Sequence, residues 1–314
     1  MSTAAACPSM MKAPHVTNEL PAVVRVVDFE ANGLTPDGDA AGLVEIGYAD
    51  VVATKADLAG DPCDWVVREG RSRLVHPGSP ITPETAAIHH LVDADVVGLP
   101  NWKPVLRGFI KQARADGVVA FGAHSADFES IWFHPEWWGG EPIPFICSYK
   151  SALRAWPDAP GHGNQVLRYH WAYADLDREK AQPVHRAGPD AYVTAFHFAK
   201  LLNDGTTIEQ MTEWMRHPAL TVRCYLGDWA NNGKGTPWPE VDTSMLNWII
   251  GKGFHDKPDI RFTVEYHLRK REEEAAAERE RSSLNQQLEA NGLATINADG
   301  SDNPLVDPNQ GMLL

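Results

Sequence analysis

Residues 23–31, Val-Val-Arg-Val-Val-Asp-Phe-Glu-Ala, form an almost unbroken run of apolar and mostly β-branched residues, which constrains the fold more than any other stretch. A run of this kind predicts a buried strand. Asp28 and Glu30 are two positions apart in it, so their side chains lie on the same face of the strand. Two carboxylates on one face of a central strand repel each other unless a cation neutralises them. The alternative is a solvated position on an edge strand.

The segments that follow alternate between strand and helix patterns. Apolar runs bounded by turn residues predict strands at 43–52, 65–76, 118–122 and 145–147. Helical periodicity predicts helices at 84–91, 103–115 and 149–155. The first three strands indicate an antiparallel meander. A meander followed by alternating strands and helices predicts an α/β layered domain.

The pattern changes after Asn203, where helical stretches at 207–217, 244–250 and 258–281 enclose a Gly- and Pro-rich segment. A Glu/Ala/Arg-rich stretch then gives way to Asn, Asp, Gly and Pro, which predicts a fraying helix followed by disorder. We therefore expect a disordered leader, a main domain, a small appended module and an acidic tail, at 1–21, 22–203, 205–271 and 272–314.

Composition excludes several classes of protein. No apolar run approaches the roughly 20 residues that span a membrane, and the N-terminal residues lack the sustained apolar core of a secretory signal. The four cysteines are far apart, with no CxxC pair. This spacing predicts free thiols in a reducing cytoplasm rather than a zinc site. The formal net charge of −14 argues against a broad basic face, so a nucleic acid would be held locally.

A third acidic segment follows the predicted strand at 118–122. It reads His-Ser-Ala-Asp-Phe-Glu over 124–129, and either Asp127 or Glu129 is placed to point at the acids of the first strand. The large apolar Phe128 between them is expected to be buried, which would turn the two acids to different sides. The alternative is a helix N-terminus at which acids favour the helix dipole.

The segment His185-Arg186-Ala187-Gly188-Pro189-Asp190 supplies a fourth carboxylate and a candidate base. Gly188 and Pro189 are typical of a turn that enters a helix. We therefore expect Asp190 in the first helical turn and His185 on the preceding loop, an arrangement suited to metal-assisted hydrolysis. The alternative is that both are surface residues without a catalytic role. Four acids and one histidine from three distant segments match the needs of a two-ion site with oxygen ligands.

Two of these segments, Asp28 to Leu34 and His185 to Asp190, resemble the first and third motifs of the DEDDh-type 3′→5′ exonucleases. The stretch from Pro80 to His89 resembles the segment that lies between the third strand and the second motif in that family. The resemblance implies a ribonuclease H-like exonuclease fold, a mixed sheet flanked by helices, with a small C-terminal α+β module. The second family motif departs from the usual pattern, because Ser125 replaces an Asn and Glu129 stands where the family has Asp. Family spacing favours Glu129 as the ligand, with Asp127 as the fallback.

The resemblance also implies a mechanism and a substrate. Two Mg²⁺ (or Mn²⁺) ions would be held by Asp28, Glu30, Glu129 and Asp190. His185 would act as general base, and hydrolysis of the terminal phosphodiester would release nucleoside 5′-monophosphates. Contacts to the terminal nucleotides are expected from Leu34, Ile88 and His89, with Gly33 allowing close approach; a purely structural role for His89 is the alternative.

The expected partner is the 3′ end of a single-stranded nucleic acid. The branch of the family that the chain resembles favours DNA, and protein partners are unknown. Two other functions stay open. The same site would serve an exoribonuclease, because discrimination of the 2′-hydroxyl depends on the shape of the pocket. The departure at Glu129 also allows a catalytically inactive nucleic-acid-binding protein.

Overall fold

The computed structural model describes residues 21–36, 41–54, 64–291, 293, 295–297, 299 and 302–303. The chain divides into two compact units, 1–216 and 217–314. Except for Pro21, the predicted leader lies outside the described residues. The domain limits given above therefore stay a proposal.

The first unit is an α/β layered structure. Its strands are β1 (Val23–Ala31), β2 (Leu43–Ala53), β3 (Trp65–Val67), β4 (Arg71–Leu74), β5 (Val118–Ala123) and β6 (Phe145–Cys147). Its α-helices are α1 (Pro83–His89), α2 (Asp93–Val96), α3 (Trp102–Ala113), α4 (Asp127–Ser130), α5 (Ser148–Ala155), α6 (Asn164–Trp171), α7 (Ala187–Asn203) and α8 (Ile208–Met215). Within the described residues, every helix is too short or too polar to cross a lipid bilayer.

The sheet is mixed, with the strand order β3-β2-β1-β5-β6 and β4 paired with the other end of β2. β1 pairs antiparallel with β2 and parallel with β5, so the strand that carries Asp28 is central. Helices flank the sheet on both faces. This architecture is the ribonuclease H-like exonuclease fold, and the fold prediction is confirmed.

The alternation of side chains along β1 divides the core into two layers. Val27 and Phe29 pack with α3, whereas Val24 and Val26 pack with α7. Because Asp28 and Glu30 are in phase with Val24 and Val26, they lie on the α7 face. The hydrophobic pattern of one strand thus assigns the two acids to the side of the sheet that also carries Asp190.

A glycine lets the start of α7 rest directly on β2. A Cβ atom on Gly47 would lie only 2.2 Å from the backbone carbon of Ala187, closer than any side chain allows. Gly47 is paired with Asp28 across β1 and β2. Since α7 meets the sheet backbone to backbone beside Asp28, the first turn of the helix is brought next to the carboxylates of β1.

Three details differ from the sequence-based expectations. The strand expected at 65–76 is two short strands, because the chain breaks at Glu69–Gly70, where a Cβ on Gly70 would lie 2.9 Å from the Tyr192 Cβ. Helices α2 and α6 were not predicted. Pro189 is the third residue of α7 rather than near the first, a position in the first turn where proline is still tolerated.

The second unit is a small α+β module. It contains the strand pairs β7 (Arg223–Cys224) with β8 (Thr236–Pro237) and β9 (Thr295–Ile296) with β10 (Asp302–Asn303), and the helices α9 (Thr243–Lys252) and α10 (Pro258–Ala290). Its core gathers around Trp238, Leu246 and Val264. Helix α10 extends beyond the predicted end at Arg281, so residues that we assigned to a fraying tail are helical up to Ala290.

Candidate active site

Three carboxylates from two elements meet at the α7 face of the sheet. Asp28 and Glu30 on β1 and Asp190 on α7 each offer an oxygen, and these oxygens all lie within 4.8 Å of one another. Carboxylate oxygens are the ligands that Mg²⁺ and similar hard cations prefer. Of the predicted ligands, the structure therefore brings these three close enough together to be candidates for binding one cation.

Asp190 is held in place by neighbouring donors. The backbone N–H of His185 donates to Asp190 Oδ2 at 2.7 Å, and Gln165 Nε2 donates to Oδ1 at 2.9 Å. Asp190 lies in the first turn of α7, and His185 lies on the loop before it. The hydrogen bond from His185 to Asp190 ties the loop of the candidate base to the carboxylate of the helix.

The acids of the second motif point in different directions. Glu129 is only 4% exposed, and its Oε2 atom has no hydrogen-bond partner among the described residues. Asp127 has a side chain that is 69% exposed and forms an ion pair with Lys150 Nζ at 2.9 Å. Glu129 is therefore directed into the protein and Asp127 towards solvent. Phe128, which we expected to be buried, is only partly so and packs against Trp132, because Glu129 occupies the inner side of the turn.

The surroundings of these carboxyls oppose their ionisation. Burial raises the pKa of Asp28 well above its usual range, and the charges of Glu129 and Glu30 raise it further. Burial together with the charge of Glu45 raises the pKa of Glu30 to about 8. Burial raises the pKa of Glu129 to about 8 as well, and the charge of Glu30 acts in the same direction. Such a group of acids becomes fully ionised at neutral pH only when a cation compensates the charge.

Sequence reasoning missed one buried acid beside this group. Glu45 on β2 is paired with Glu30 across the sheet and is 1% exposed. It accepts hydrogen bonds from Arg186 Nε at 2.7 Å, Arg186 Nη2 at 3.1 Å, the Ala187 backbone N–H at 3.2 Å and Ser72 Oγ at 2.5 Å. Its charge is thus satisfied by the loop that carries His185. The signal in the sequence was an acid inside the apolar run Leu-Val-Glu-Ile-Gly of the second strand.

His185 is exposed and adopts a left-handed backbone conformation, with φ of 58°. A residue other than glycine held in this region costs on the order of 1–3 kcal/mol, a cost that is found at functional sites. The neighbouring bonds, from the His185 N–H to Asp190 and from Arg186 to Glu45, hold the loop in this shape. The imidazole is thereby presented to solvent beside the carboxylates.

The predicted substrate contacts fall into two groups. Leu34 and Ile88 are large apolar side chains that are 83% and 56% exposed. Gly33 and His89 are packed instead: a Cβ on Gly33 would lie 2.7 Å from the Cβ of Ala41, and His89 is 2% exposed. His89 Nδ1 accepts from the Leu91 N–H at 3.1 Å, and its buried Nε2 has no partner among the described residues. Burial lowers the pKa of this imidazole.

The fold is ribonuclease H-like, and the carboxylate cluster that it carries resembles the site of one class of protein, the nucleases of the DEDDh type. Comparison with known proteins confirms the resemblance that the motifs indicated. Exodeoxyribonuclease 10 of Escherichia coli strain K12 is 28% identical to this chain over 248 residues, which cover 78% of the chain and 99% of that enzyme. The chain is a homologue of this enzyme, whose branch of the family the motifs had already indicated.

More distant similarity links the chain to a polymerase subunit and to a solved structure. DNA polymerase III subunit epsilon of Aquifex aeolicus strain VF5 is 24% identical over 182 residues, 57% of this chain and 80% of that protein. A structure described as exonuclease X in complex with 5′-overhanging duplex DNA is 27% identical, with a TM-score of 0.46, and the match covers 61% of this chain and 98% of that one. No family model matches the sequence.

Proposed function

We propose that the protein is a metal-dependent 3′→5′ exonuclease that removes nucleotides from the 3′ ends of single-stranded DNA. The observation that carries the proposal is the group formed by Asp28, Glu30 and Asp190, whose oxygens lie within 4.8 Å of one another. Among the described residues none of these three acids forms an ion pair with a cationic side chain, and unpaired acids that share a site are typical of a divalent-metal centre. The name of the homologous enzyme, exodeoxyribonuclease 10, supports DNA as the substrate.

The donor set fits two Mg²⁺ or Mn²⁺ ions. The ions would be held by Asp28, Glu30, Glu129 and Asp190. Among the described residues, the buried Oε2 atom of Glu129 has no hydrogen-bond partner, so it is available to bind a metal ion. Asp127 is the weaker candidate because its carboxylate is exposed and bound to Lys150. When bound, the ions lower the pKa of a water and stabilise the negative charge on the leaving oxygen.

The side chains of the chain itself would carry out the remaining steps. His185 takes a proton from the attacking water, a role that suits an exposed imidazole on the loop beside Asp190. The water oxygen forms a bond to phosphorus, and the bond to the 3′-oxygen of the preceding nucleotide breaks. The products are a nucleoside 5′-monophosphate and a strand with a new 3′-hydroxyl. Leu34 and Ile88 would contact the terminal bases, and apolar contacts of this kind tolerate any sequence.

The preference for DNA over RNA is tested by parallel assays on single-stranded DNA and RNA of the same sequence, labelled at the 3′-terminal nucleotide. We expect release of labelled mononucleotide with Mg²⁺ or Mn²⁺, faster from DNA, and no release in EDTA. Faster release from RNA would make the protein an exoribonuclease that uses the same site. Nucleic-acid binding without release under either metal would indicate the inactive binding protein, and the exonuclease proposal would be wrong. Location in the cytoplasm stays a prediction that imaging of the tagged protein tests.

A further inference from the structure

A groove of about 660 Å³ lies between strand β4 and helix α3. Its lining includes Ile46 and Tyr48 on β2, Arg71 and Arg73 on β4, and Val105 and Phe109 on α3. Arg71 is paired with Tyr48 and Arg73 with Ile46, so these side chains share one face of the sheet. It is the α3 face, opposite the one that carries the carboxylates.

The β4 wall of the groove is basic, and two further cations on α3 lie next to the groove. Arg71 and Arg73 are exposed on β4, and Arg107 and Lys111 are exposed on α3, four positions apart and therefore on one side of the helix. Arg107 and Lys111 also line an adjoining concavity of about 560 Å³, together with Lys103. None of the four exposed side chains forms an ion pair with a residue that the structure describes. In a chain with a formal net charge of −14, this concentration of cations is a local exception.

The floor of the groove is aromatic. The rings of Tyr48 and Phe109 are half-buried, and their centroids are 5.2 Å apart. The guanidinium of Arg25 lies 4.9 Å from the Tyr48 centroid and 5.2 Å from that of Phe109, on their buried side. Gly108 keeps the groove open, since a Cβ there would have no atom within 4 Å. Aromatic rings beside exposed cations are the arrangement that proteins use for unpaired bases and their phosphates.

The groove lies at the β4 edge of the sheet, and the carboxylates lie on the opposite face, on the central strand β1 two strands away. Between Arg71 and Arg73, Ser72 faces the other way, and its hydroxyl donates to Glu45, the cross-strand neighbour of Glu30. A strand of nucleic acid that passes over β4 can therefore have one part in the groove and its end on the carboxylate face. A rigid duplex fits a narrow apolar floor less well than separated bases do.

We propose that this groove binds the single-stranded part of the substrate that precedes the 3′-terminal nucleotide. The phosphates contact Arg71, Arg73, Arg107 and Lys111, and unpaired bases lie against Tyr48 and Phe109. The inference rests on the proposed exonuclease function and adds a second site of contact to it. The groove would hold the substrate while the terminal nucleotide is replaced after each cleavage.

The test compares a substrate that reaches the groove with one that does not. The long substrate is a single-stranded oligonucleotide of about 30 nucleotides, longer than the roughly 4–16 that one binding module covers. The short one is the p-nitrophenyl ester of thymidine 5′-monophosphate. The variants are Arg71→Glu, Arg107→Glu and the double variant. The control is Arg216→Glu, the same charge change at an exposed position next to α8, which packs on β6 at the other edge of the sheet.

In the double variant, we expect the ratio of kcat/KM on the oligonucleotide to kcat/KM on the ester to fall about tenfold, mainly through KM. The slope of log KM against log salt should become shallower by about 0.7 for each phosphate that the variant no longer neutralises. Arg216→Glu should change neither quantity.

An unchanged ratio in an active protein would overturn the inference and leave the proposed function intact. The inference would also be overturned if the ratio fell only for duplexes with a recessed 3′ end, because the groove would then bind the complementary strand. If wild type cleaved neither substrate, the proposed function would fail by itself. Fluorescence anisotropy would then measure the affinity of the protein for the labelled oligonucleotide in EDTA. Equal affinity for wild type and the double variant would show that the groove does not bind the strand.

Discussion

Arg25 and Asp28 are three residues apart on one strand and lie on opposite faces of the sheet, and their surroundings contrast. Arg25 is 6% exposed and donates to Asp50 and Asp116, each at 2.8 Å. Burial alone would lower its pKa, but these two acids more than compensate and raise it. Asp28 faces only acids, and both burial and their charges raise its pKa.

The charge of Arg25 is neutralised by other residues of the fold, whereas the charges of the carboxylate cluster need a bound cation to neutralise them. The Arg25 group is satisfied by the chain itself, and its removal should appear in stability. The carboxylate cluster is kept together by the packing of α7 on β2 although its members repel one another, so its removal should appear in activity. Five substitutions or conditions test this distinction, from the largest expected effect to the smallest.

The first is Asp28→Asn. We expect hydrolysis to fall at least about 10³-fold, because a metal ligand that supports several kcal/mol of transition-state stabilisation is removed. The metal-free variant should be at least as stable as wild type, since asparagine has no ionisation that burial and the neighbouring acids oppose. Single-turnover rates and thermal unfolding in EDTA measure the two quantities. Near-wild-type rates in Mg²⁺ would show that Asp28 is not a metal ligand and that the proposed two-ion site is wrong.

The second compares Glu129→Gln with Asp127→Asn. Each replaces a carboxylate by an amide of the same shape, and the two positions are neighbours on the same short helix. Glu129→Gln should nearly eliminate activity, because this carboxylate is buried and its charge acts on Asp28, whereas Asp127→Asn should keep much of it because Asp127 is exposed and paired with Lys150. The reverse order in the same rate assay would make Asp127 the ligand.

The third is His185→Ala. Loss of a positioned general base typically lowers the turnover rate by about 10²–10⁴-fold. Metal affinity, measured by calorimetry, should be largely retained because the imidazole acts on the water rather than on the ion. His170→Ala, at an exposed histidine on α6, serves as the matched control. An equal loss of metal affinity and rate would assign His185 to the metal instead.

The fourth is Arg25→Leu, which tests the other side of the comparison. Removing one partner of a buried ion pair typically costs about 3–5 kcal/mol, and about 3 kcal/mol is expected here because both aspartates remain partly accessible to water. Denaturant unfolding gives the free energy, and Arg216→Leu should stay within about 0.5 kcal/mol of wild type. A loss of activity without loss of stability would show that Arg25 acts on the site.

The fifth is the pH dependence of the metal-free protein. Glu30 and Glu129 have folded-state pKa values of about 8, above the ordinary value of 4.5. The folded protein therefore binds more protons than the unfolded chain between these values, and stability is lost as pH rises from about 4.5 to 8. Thermal unfolding in EDTA should show this decline, and it should be weaker in Glu129→Gln. Equal slopes in the two proteins would mean that Glu129 is not the source.

The features that could be predicted from the sequence are those that depend on local patterns of residues. The β-branched run with two alternating acids predicted β1, its central position and its two faces, since strand geometry follows from the chain alone. The segment from His185 to Asp190 predicted a loop followed by a helix for a similar reason. The choice of Glu129 over Asp127 came from family spacing, and its role stays a prediction.

Long-range packing explains what the sequence could not reveal. The break between β3 and β4 arises where Gly70 meets Tyr192, which is remote in sequence. Glu45 was missed because its partner, Arg186, is 141 positions away, and nothing local distinguishes a paired acid from a solvated one. The basic groove likewise joins a strand and a helix whose charges are scattered along the chain.

The backbone contact at Gly47 has a consequence for how this protein tolerates sequence drift. Interfaces between side chains shift by fractions of an ångström when their residues are exchanged, and such shifts would alter the spacing between acids on two different elements. Here α7 rests on β2 through main-chain atoms, whose dimensions are the same in every sequence. The core around the site can therefore accumulate substitutions while the distance between the acids of β1 and α7 stays constant, as long as position 47 itself remains without a side chain.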